Sequence, residues 1–272
     1  PDTSASNAPA NVPRPDGAMP VVPEGFMVEL VAENVGEPRT LTFAPNGDLF
    51  VANSNSGEVL VLRLGEDGLL EEQTVFASGL DQPYGIAFHP ADNPEWVYVG
   101  ETDGLVRFPY AEGDTVASAD PEQLVEGIPT GGHWTRDVVF SPDGETLYYA
   151  VGSESNVGDD MEREPGSGVE QWASTEPLGA SWGPEERRAT VLAFDPDGSN
   201  ERTFATGLRN CSGMTVQPAT GDVWCVVNER DGLGDNLPFD YATSVAEGGF
   251  YGWPWSPARR SHAKSPRGCR PH

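Results

Sequence analysis

The feature that most constrains this chain is a hairpin that returns along it. Residues 131–156 read GGHWTRDVVFSPDGETLYYAVGSESN: a short apolar run at Val138, Val139 and Phe140, a Ser141-Pro142-Asp143-Gly144 turn, and a second run from Leu147 to Val151. Asp-Gly between two β-prone runs predicts a hairpin, because glycine accepts the positive φ that the turn needs. The same grammar recurs at residues 38–63, 82–110 and, more weakly, 213–228. The turn prolines Pro45, Pro90, Pro142 and Pro218 are 45, 52 and 76 residues apart. The first two intervals fit one four-stranded sheet each, and the third fits a sheet plus an insertion. Radial repetition of small antiparallel sheets is the β-propeller. The prediction is an all-β propeller domain over residues 25–254, with four to five four-stranded blades. A face-packed sandwich is the alternative that similarity within the chain disfavours.

Charge narrows the partners. Asp and Glu number 43 against 16 Lys and Arg, for a formal net charge of -27, and Lys264 is the only lysine. Such a surface repels nucleic acid and anionic membrane. It suits high salt, where self-repulsion is screened, so a halophilic source is one reading and a generic acidic secreted protein the other. No apolar stretch reaches transmembrane length. Read as a mature chain, the sequence is assigned to an extracellular or periplasmic compartment.

Residues 1–24, rich in Pro, Ala, Ser and Asn, read as a flexible leader or a strap across the domain. Residues 25–34, GFMVELVAEN, form the first expected strand, placed to close the ring as the outer strand of the last sheet. Residues 156–188 are a polar excursion, either a flap over a site or a bland insertion. Residues 189–194 and 202–205 then supply the outer strands of the sheet begun at Arg136. Cys211 and Cys225 flank the fourth hairpin. Simple register sets Cys211 opposite Asn228, about three positions from Cys225, too far for a bond unless a bulge intervenes. Cys269 has no assigned partner.

The polar chemistry gathers at strand entrances, where propeller sites lie. His133, one of four histidines, is flanked by Gly131, Gly132, Trp134 and Arg136. Residues 79–82, ending in Gln82, precede the second repeat in the same way, and Arg209-Asn210 precede the fourth. Residues 227–236, VNERDGLGDN, follow the fourth hairpin with Asn228, Glu229, Asp231 and Asp235. They could wrap a hard cation through carboxylates and backbone carbonyls, though the spacing is not that of an EF-hand; a simple solvated acidic loop is the other reading.

Together, GGHWTRDVVFSPDG, GLRN, VVNERDG and GGFYGWP resemble the soluble quinoprotein sugar dehydrogenases, the family that includes soluble glucose, aldose-sugar and L-sorbosone dehydrogenases. The resemblance runs from about residue 25 to residue 254, and the order of four motifs makes it specific. It implies a six-bladed propeller holding pyrroloquinoline quinone (PQQ) and Ca2+, which oxidises the C1 hydroxyl of an aldose or related sugar. It implies His133 as the general base, with hydride passing to the quinone and onward to an external electron acceptor. Arg209 and Asn210 match the pair that engages the quinone. Asn228, Gln82 and Arg136 are assigned to the cofactor as well, and Glu229, Arg230 and Asp231 to calcium, the first two through backbone carbonyls.

Two departures qualify this. The family often places an aspartate to hydrogen-bond the catalytic histidine, where this chain has Gly152-Ser153-Glu154, so either Glu154 or another acid substitutes or the relay is weaker. Against a six-bladed plan, about four blades precede Pro254. Residues 254–272 hold no acid and five of the 16 basic residues, so residues 255–272 read as a basic tail, disordered or aberrant. An incomplete ring exposes two sheet edges and invites self-association or a partner chain. The competing functional reading is therefore a non-catalytic propeller, a binding or scaffold module.

Overall fold

The computed structural model describes residues 12, 13, 15–233 and 238–255. Its first sheet is formed by β1 (Pro38–Phe43), β2 (Leu49–Asn53), β3 (Glu58–Leu64) and β4 (Leu70–Ser78), in that order. The second comprises β5 (Ile86–His89), β6 (Trp96–Glu101), β7 (Gly104–Pro109) and β8 (Glu122–Val125). The third contains β9 (Val138–Phe140), β10 (Leu147–Val151), β11 (Thr190–Phe194) and β12 (Arg202–Thr206), with helix α1 (Val169–Thr175) in the excursion between β10 and β11. The fourth is three-stranded: β13 (Cys211–Val216), β14 (Val223–Val227) and β15 (Tyr241–Val245). A last short strand, β16 (Gly249–Phe250), pairs parallel with β12 at the edge of the third sheet.

The repeated turn explains the hairpins. Asp143 Oδ1 accepts from Ser141 Oγ at 2.5 Å and from Glu145 N at 3.1 Å, while Gly144 takes φ 74°. Side chains of each sheet then alternate between its two neighbours. Phe50, Phe76, Phe88, Phe108 and Tyr110 interlock edge to face between the first and second sheets. Tyr98, Leu105, Leu147, Tyr149 and Phe194 fill the second interface, and Tyr148, Val191, Phe204, Val223 and Val227 the third. The result is an all-β, four-bladed propeller-type arrangement, in which each blade packs on the next.

Two expectations need correction. Residues 25–34 join no sheet, and Phe26, Met27 and Leu30 stay exposed. Only Ala32 of the segment and the adjoining Val35 pack, against Leu49, Val51, Leu60 and Leu62 of the first blade, so apolar cover on the first blade holds its end without strand pairing. The four sheets among the described residues fall within the expected four to five, and β16 extends the third. Cys211 and Cys225 are bonded, with Cα atoms 5.7 Å apart. A register shift between Cys211 and Gly213 sets Cys211 opposite Val227, which brings Cys225 within disulfide reach. Cys269, Asp235 and residues 256–272 lie outside the described residues.

The terminal blades each keep one apolar face uncovered. Leu41 and Phe43 are 58% and 63% exposed on the first, and Trp224 and Val226 are 40% and 52% exposed on the fourth. Among the described residues no helix is long and apolar enough to cross a membrane.

Candidate active site at the strand entrances

Antiparallel order brings the starts of β5, β9, β11 and β13 and the end of β10 to one end of the molecule. His133 lies there, and its loop is fixed by backbone and glycine. His133 N donates to Ser153 O at 2.9 Å, and Ser153 N donates to Arg209 O at 2.7 Å, so the entrances to β9 and β13 are stitched to the exit of β10. A Cβ at Gly152 would come within 2.5 Å of His133 Cβ and 2.6 Å of Asn210 Oδ1, so only glycine lets these two residues meet over that strand end. Gly132, at φ 52°, lies against the Glu154 backbone with equally little room.

The imidazole is half-buried. Its Nδ1 lies 2.9 Å from Ser153 O and 3.0 Å from Ser153 Oγ. A carbonyl can only accept, so Nδ1 carries the proton and Nε2 holds the free lone pair. Burial lowers the His133 pKa most; the Ser153 backbone bond opposes this, Arg209 and Arg188 push it down further and Asp231 pushes it up. At neutral pH the ring is a neutral base. Glu154 does not replace the missing aspartate: its carboxylate pairs with Arg188 at 2.9 Å.

The arginines are deeper than the sequence suggested. Arg136 is fully buried, and its guanidinium donates to the carbonyls of Thr102 (3.1 Å), His133 (2.7 Å), Thr135 (2.9 Å) and Pro129 (2.8 Å). Burial pushes its pKa down to about 10. Contact with a cofactor would require those bonds to break, so the structure places Arg136 beneath the His133 loop as its brace. Gln82, at φ 48°, accepts from Thr102 Oγ1 at 3.2 Å and so stands on the same brace. Arg209, 2% exposed, donates to Asn156 O (3.0 Å), Asn156 Oδ1 (2.7 Å) and Asn228 O (3.1 Å), and its guanidinium meets Asp231 Oδ2 at 3.2 Å. Asn210 Oδ1 accepts from Thr135 Oγ1 at 3.0 Å, and Asn210 O accepts from Asn228 N at 2.9 Å. His133, Arg209, Asn210 and Asn228 thus share one cluster.

The loop assigned to calcium joins the same cluster. Asp231 is held by Arg209 and by Asn156, whose Oδ1 accepts from Asp231 N at 2.8 Å and whose Nδ2 donates to Asp231 O at 2.9 Å. Arg230 donates to Pro254 O at 3.2 Å. Glu229 is 3% exposed, burial raises its pKa, and neither carboxylate oxygen has a hydrogen-bond partner among the described residues. Among those residues no group of three or more His, Cys, Asp or Glu side chains is placed to hold a metal.

Sequence reasoning missed Arg188, Glu185 and Asn156. Arg188 reaches the carbonyls of Gly131 (3.2 Å), Gly152 (3.3 Å) and Thr130. Glu185, 2% exposed, anchors the excursion to the site by accepting from Glu154 N and Ser155 N, both at 2.8 Å, and from Ser155 Oγ at 2.6 Å. A signal was present for one of them: Arg188 stands two residues before β11, as Arg136 does before β9 and Arg209 before β13.

Comparison with known proteins agrees with the propeller fold. A family model described as TrAA12-like matches residues 20–244. The holo pyranose dehydrogenase PQQ domain from Coprinopsis cinerea superposes with a TM-score of 0.68 at 22% identity, covering 86% of this chain and 58% of that one. A calcium structure of the Trichoderma reesei family AA12 enzyme gives 0.67 at 19% identity, covering 86% and 60%. The PQQ-bound aldose sugar dehydrogenase from Streptomyces coelicolor gives 0.58 at 19%, covering 84% and 66%. An uncharacterized Borreliella burgdorferi protein is 22% identical over 237 residues, 83% of this chain and 54% of that protein. The chain therefore spans between 54% and 66% of the length of these relatives.

Proposed function

The chain belongs to the TrAA12-like family, whose propeller fold is that of the PQQ-dependent sugar dehydrogenases, and on that footing we propose that it oxidises a sugar with a bound quinone. The substrate class is an aldose or related sugar reacting at its C1 hydroxyl, with an external acceptor taking the electrons. The observation that carries the reading is His133, whose Nδ1 is tied to Ser153 while Nε2 keeps its lone pair at the cluster of strand entrances. An imidazole in that tautomer takes a hydroxyl proton at Nε2 and becomes a cation.

The residues present fit the implied groups in part. PQQ is a polyanion, and two guanidinium groups against one carboxylate dominate the field at His133. Arg209, whose guanidinium is already committed to Asn156, Asn228 and Asp231, would favour the anion by charge, while Asn210 and the exposed Asn228 offer amides. For calcium, the buried Glu229 carboxylate has both oxygens unpartnered among the described residues, which suits a hard cation, and the carbonyls of Glu229 and Arg230 are the further oxygens we assign. When bound, the quinone supplies the two-electron acceptor. The chain's own part is to bind and orient the sugar and to remove its proton.

One observation favours the non-catalytic module instead. Ser153 offers His133 a neutral acceptor, which stabilises an imidazolium less than a carboxylate would. Titration with PQQ and Ca2+, followed by dye reduction with aldoses, separates the two. Quinone binding with turnover that His133→Ala abolishes in a folded protein supports the dehydrogenase. A wild-type chain that neither binds quinone nor reduces dye is a scaffold.

A further inference from the structure

The sequence after β10 is held from two directions. On one side, Ser153 O and Oγ meet His133 Nδ1 at 2.9 and 3.0 Å. On the other, Glu185, at the end of the excursion, binds Glu154 N, Ser155 N and Ser155 Oγ. The link between them is the hydroxyl of Ser153, which donates to Ser155 O at 2.8 Å. Because that proton is committed to Ser155, Ser153 Oγ can only accept from the histidine.

We propose that Glu185 is a positioning residue for the base: by fixing Ser155 it commits the Ser153 hydroxyl and thereby holds His133 in the Nδ1-protonated tautomer, with Nε2 free. The inference deepens the reading of His133 as base and rests on it. It also gives residues 156–188 a role. The excursion sets the protonation state of the ring through one buried carboxylate, whereas a bland insertion would leave the ring indifferent to it.

Two groups of Ser153 share Nδ1. The carbonyl can only accept and favours the proton there, but a serine hydroxyl is ambivalent: freed from Ser155 it can turn its proton toward Nδ1 and compete with the carbonyl, which would move part of the ring proton to Nε2 and weaken the base. Glu185 suits the task because its two carboxylate oxygens face three donors on one short turn. The other charged groups near the ring are Arg209, Asp231 and Arg188, with Arg136 beneath its loop and Glu154 paired to Arg188. None of these donates to or accepts from Nδ1 among the described residues, so the tautomer is left to the two serines.

The test is histidine NMR on the full chain without quinone or calcium, using 15N- and 13C-labelled histidine, with His133→Ala to identify the signal among four histidines. Wild type should give the neutral Nδ1-protonated form. In Glu185→Gln one amide oxygen replaces two carboxylate oxygens before three donors. The Nδ1-protonated share should fall toward the Nε2-protonated form that free imidazole prefers, and the His133 pKa should rise as water reaches the ring. Ser155→Ala removes one of the three donors and should shift the tautomer the same way by less. Signals of His133 that superimpose on wild type in Glu185→Gln, while the Ser155 amide moves, overturn the proposal. Should Glu185→Gln not fold, an unchanged tautomer in Ser155→Ala overturns it instead. In active enzyme, Glu185→Gln should lower kcat by about a hundredfold with KM little changed. A chain that passes the NMR test and yet reduces no dye keeps this inference as a structural fact and removes the enzyme reading, so the two failures are distinct.

Discussion

Asp137 offers the sharpest thermodynamic test. It follows Arg136 at the start of β9 and bridges to the fourth blade: Oδ2 accepts from Met214 N at 2.5 Å and Oδ1 from Val138 N at 2.9 Å. Burial pushes its pKa up from 3.8 to about 6, with the two backbone bonds opposing, and no charged side chain contributes to the rise. The native state therefore keeps this proton to higher pH than the unfolded chain does. Stability associated with the group is fully present below the unfolded pKa and is lost as pH rises through about 6. A proton held about a hundredfold more tightly in the folded chain than in the unfolded one corresponds to about 3 kcal/mol.

The other 42 of the 43 acids also titrate, so the measurement is a difference between wild type and Asp137→Asn. Asparagine has one acceptor oxygen for two N–H donors, which costs the variant a roughly constant amount at every pH. Denaturant unfolding at fixed high ionic strength, from about pH 3 to about pH 8, should show wild type losing about 3 kcal/mol relative to the variant as the group ionises. A gap that stays constant over that range refutes the argument, because it would mean the carboxylate titrates alike in both states.

Reducing the Cys211–Cys225 bond, which closes a separation of 14 residues, should lower unfolding free energy by about 3 kcal/mol, read from urea melts with and without reductant. Ser153→Asp should raise the His133 pKa by about one to three pH units, since a carboxylate on Nδ1 favours the imidazolium; an NMR titration showing no rise sinks the account of the neutral relay. With a net charge of -27, melting temperature should climb between about 0.1 M and about 1 M potassium chloride, and a flat response would count against adaptation to high salt.

The fold was legible because its repeat is local. Pro-Asp-Gly and related turns need particular residues at fixed offsets, and the runs between them alternate toward two neighbouring blades. Deviations in pairing were not legible. The shift between Cys211 and Gly213 leaves no residue signature, yet it changes which positions face each other and decides the disulfide. Residues 25–34 carry a strand's composition, but a strand also needs an edge with open hydrogen bonds, and composition says nothing of edges. That His133, Arg209, Asn210 and Asn228 come together was legible because motif order fixes which blade end each occupies. The depth of Arg136 was not legible, since charge alone does not tell a ligand contact from a bond to carbonyls. Glu185 lay hidden in an acid-rich stretch where nothing marks one carboxylate as buried.

The arginines explain how a blade end becomes a site. Where strand pairing stops, loop carbonyls turn inward without ladder partners, and buried carbonyls need donors. Arg136, Arg188 and Arg209 each stand two residues before a strand, and each spreads its guanidinium over carbonyls of loops that the strands themselves do not pair. A planar fork with five donors does this from one position, while an ammonium offers a compact point with three. Because Arg136 and Arg188 both bind carbonyls within residues 129–133, the imidazole rests on a loop fixed from below by two arginines of the third blade. Ser153 fixes the ring from the side. The same bonds that complete the blade ends also orient the imidazole, so rigidity of the propeller and placement of His133 arise from one set of contacts.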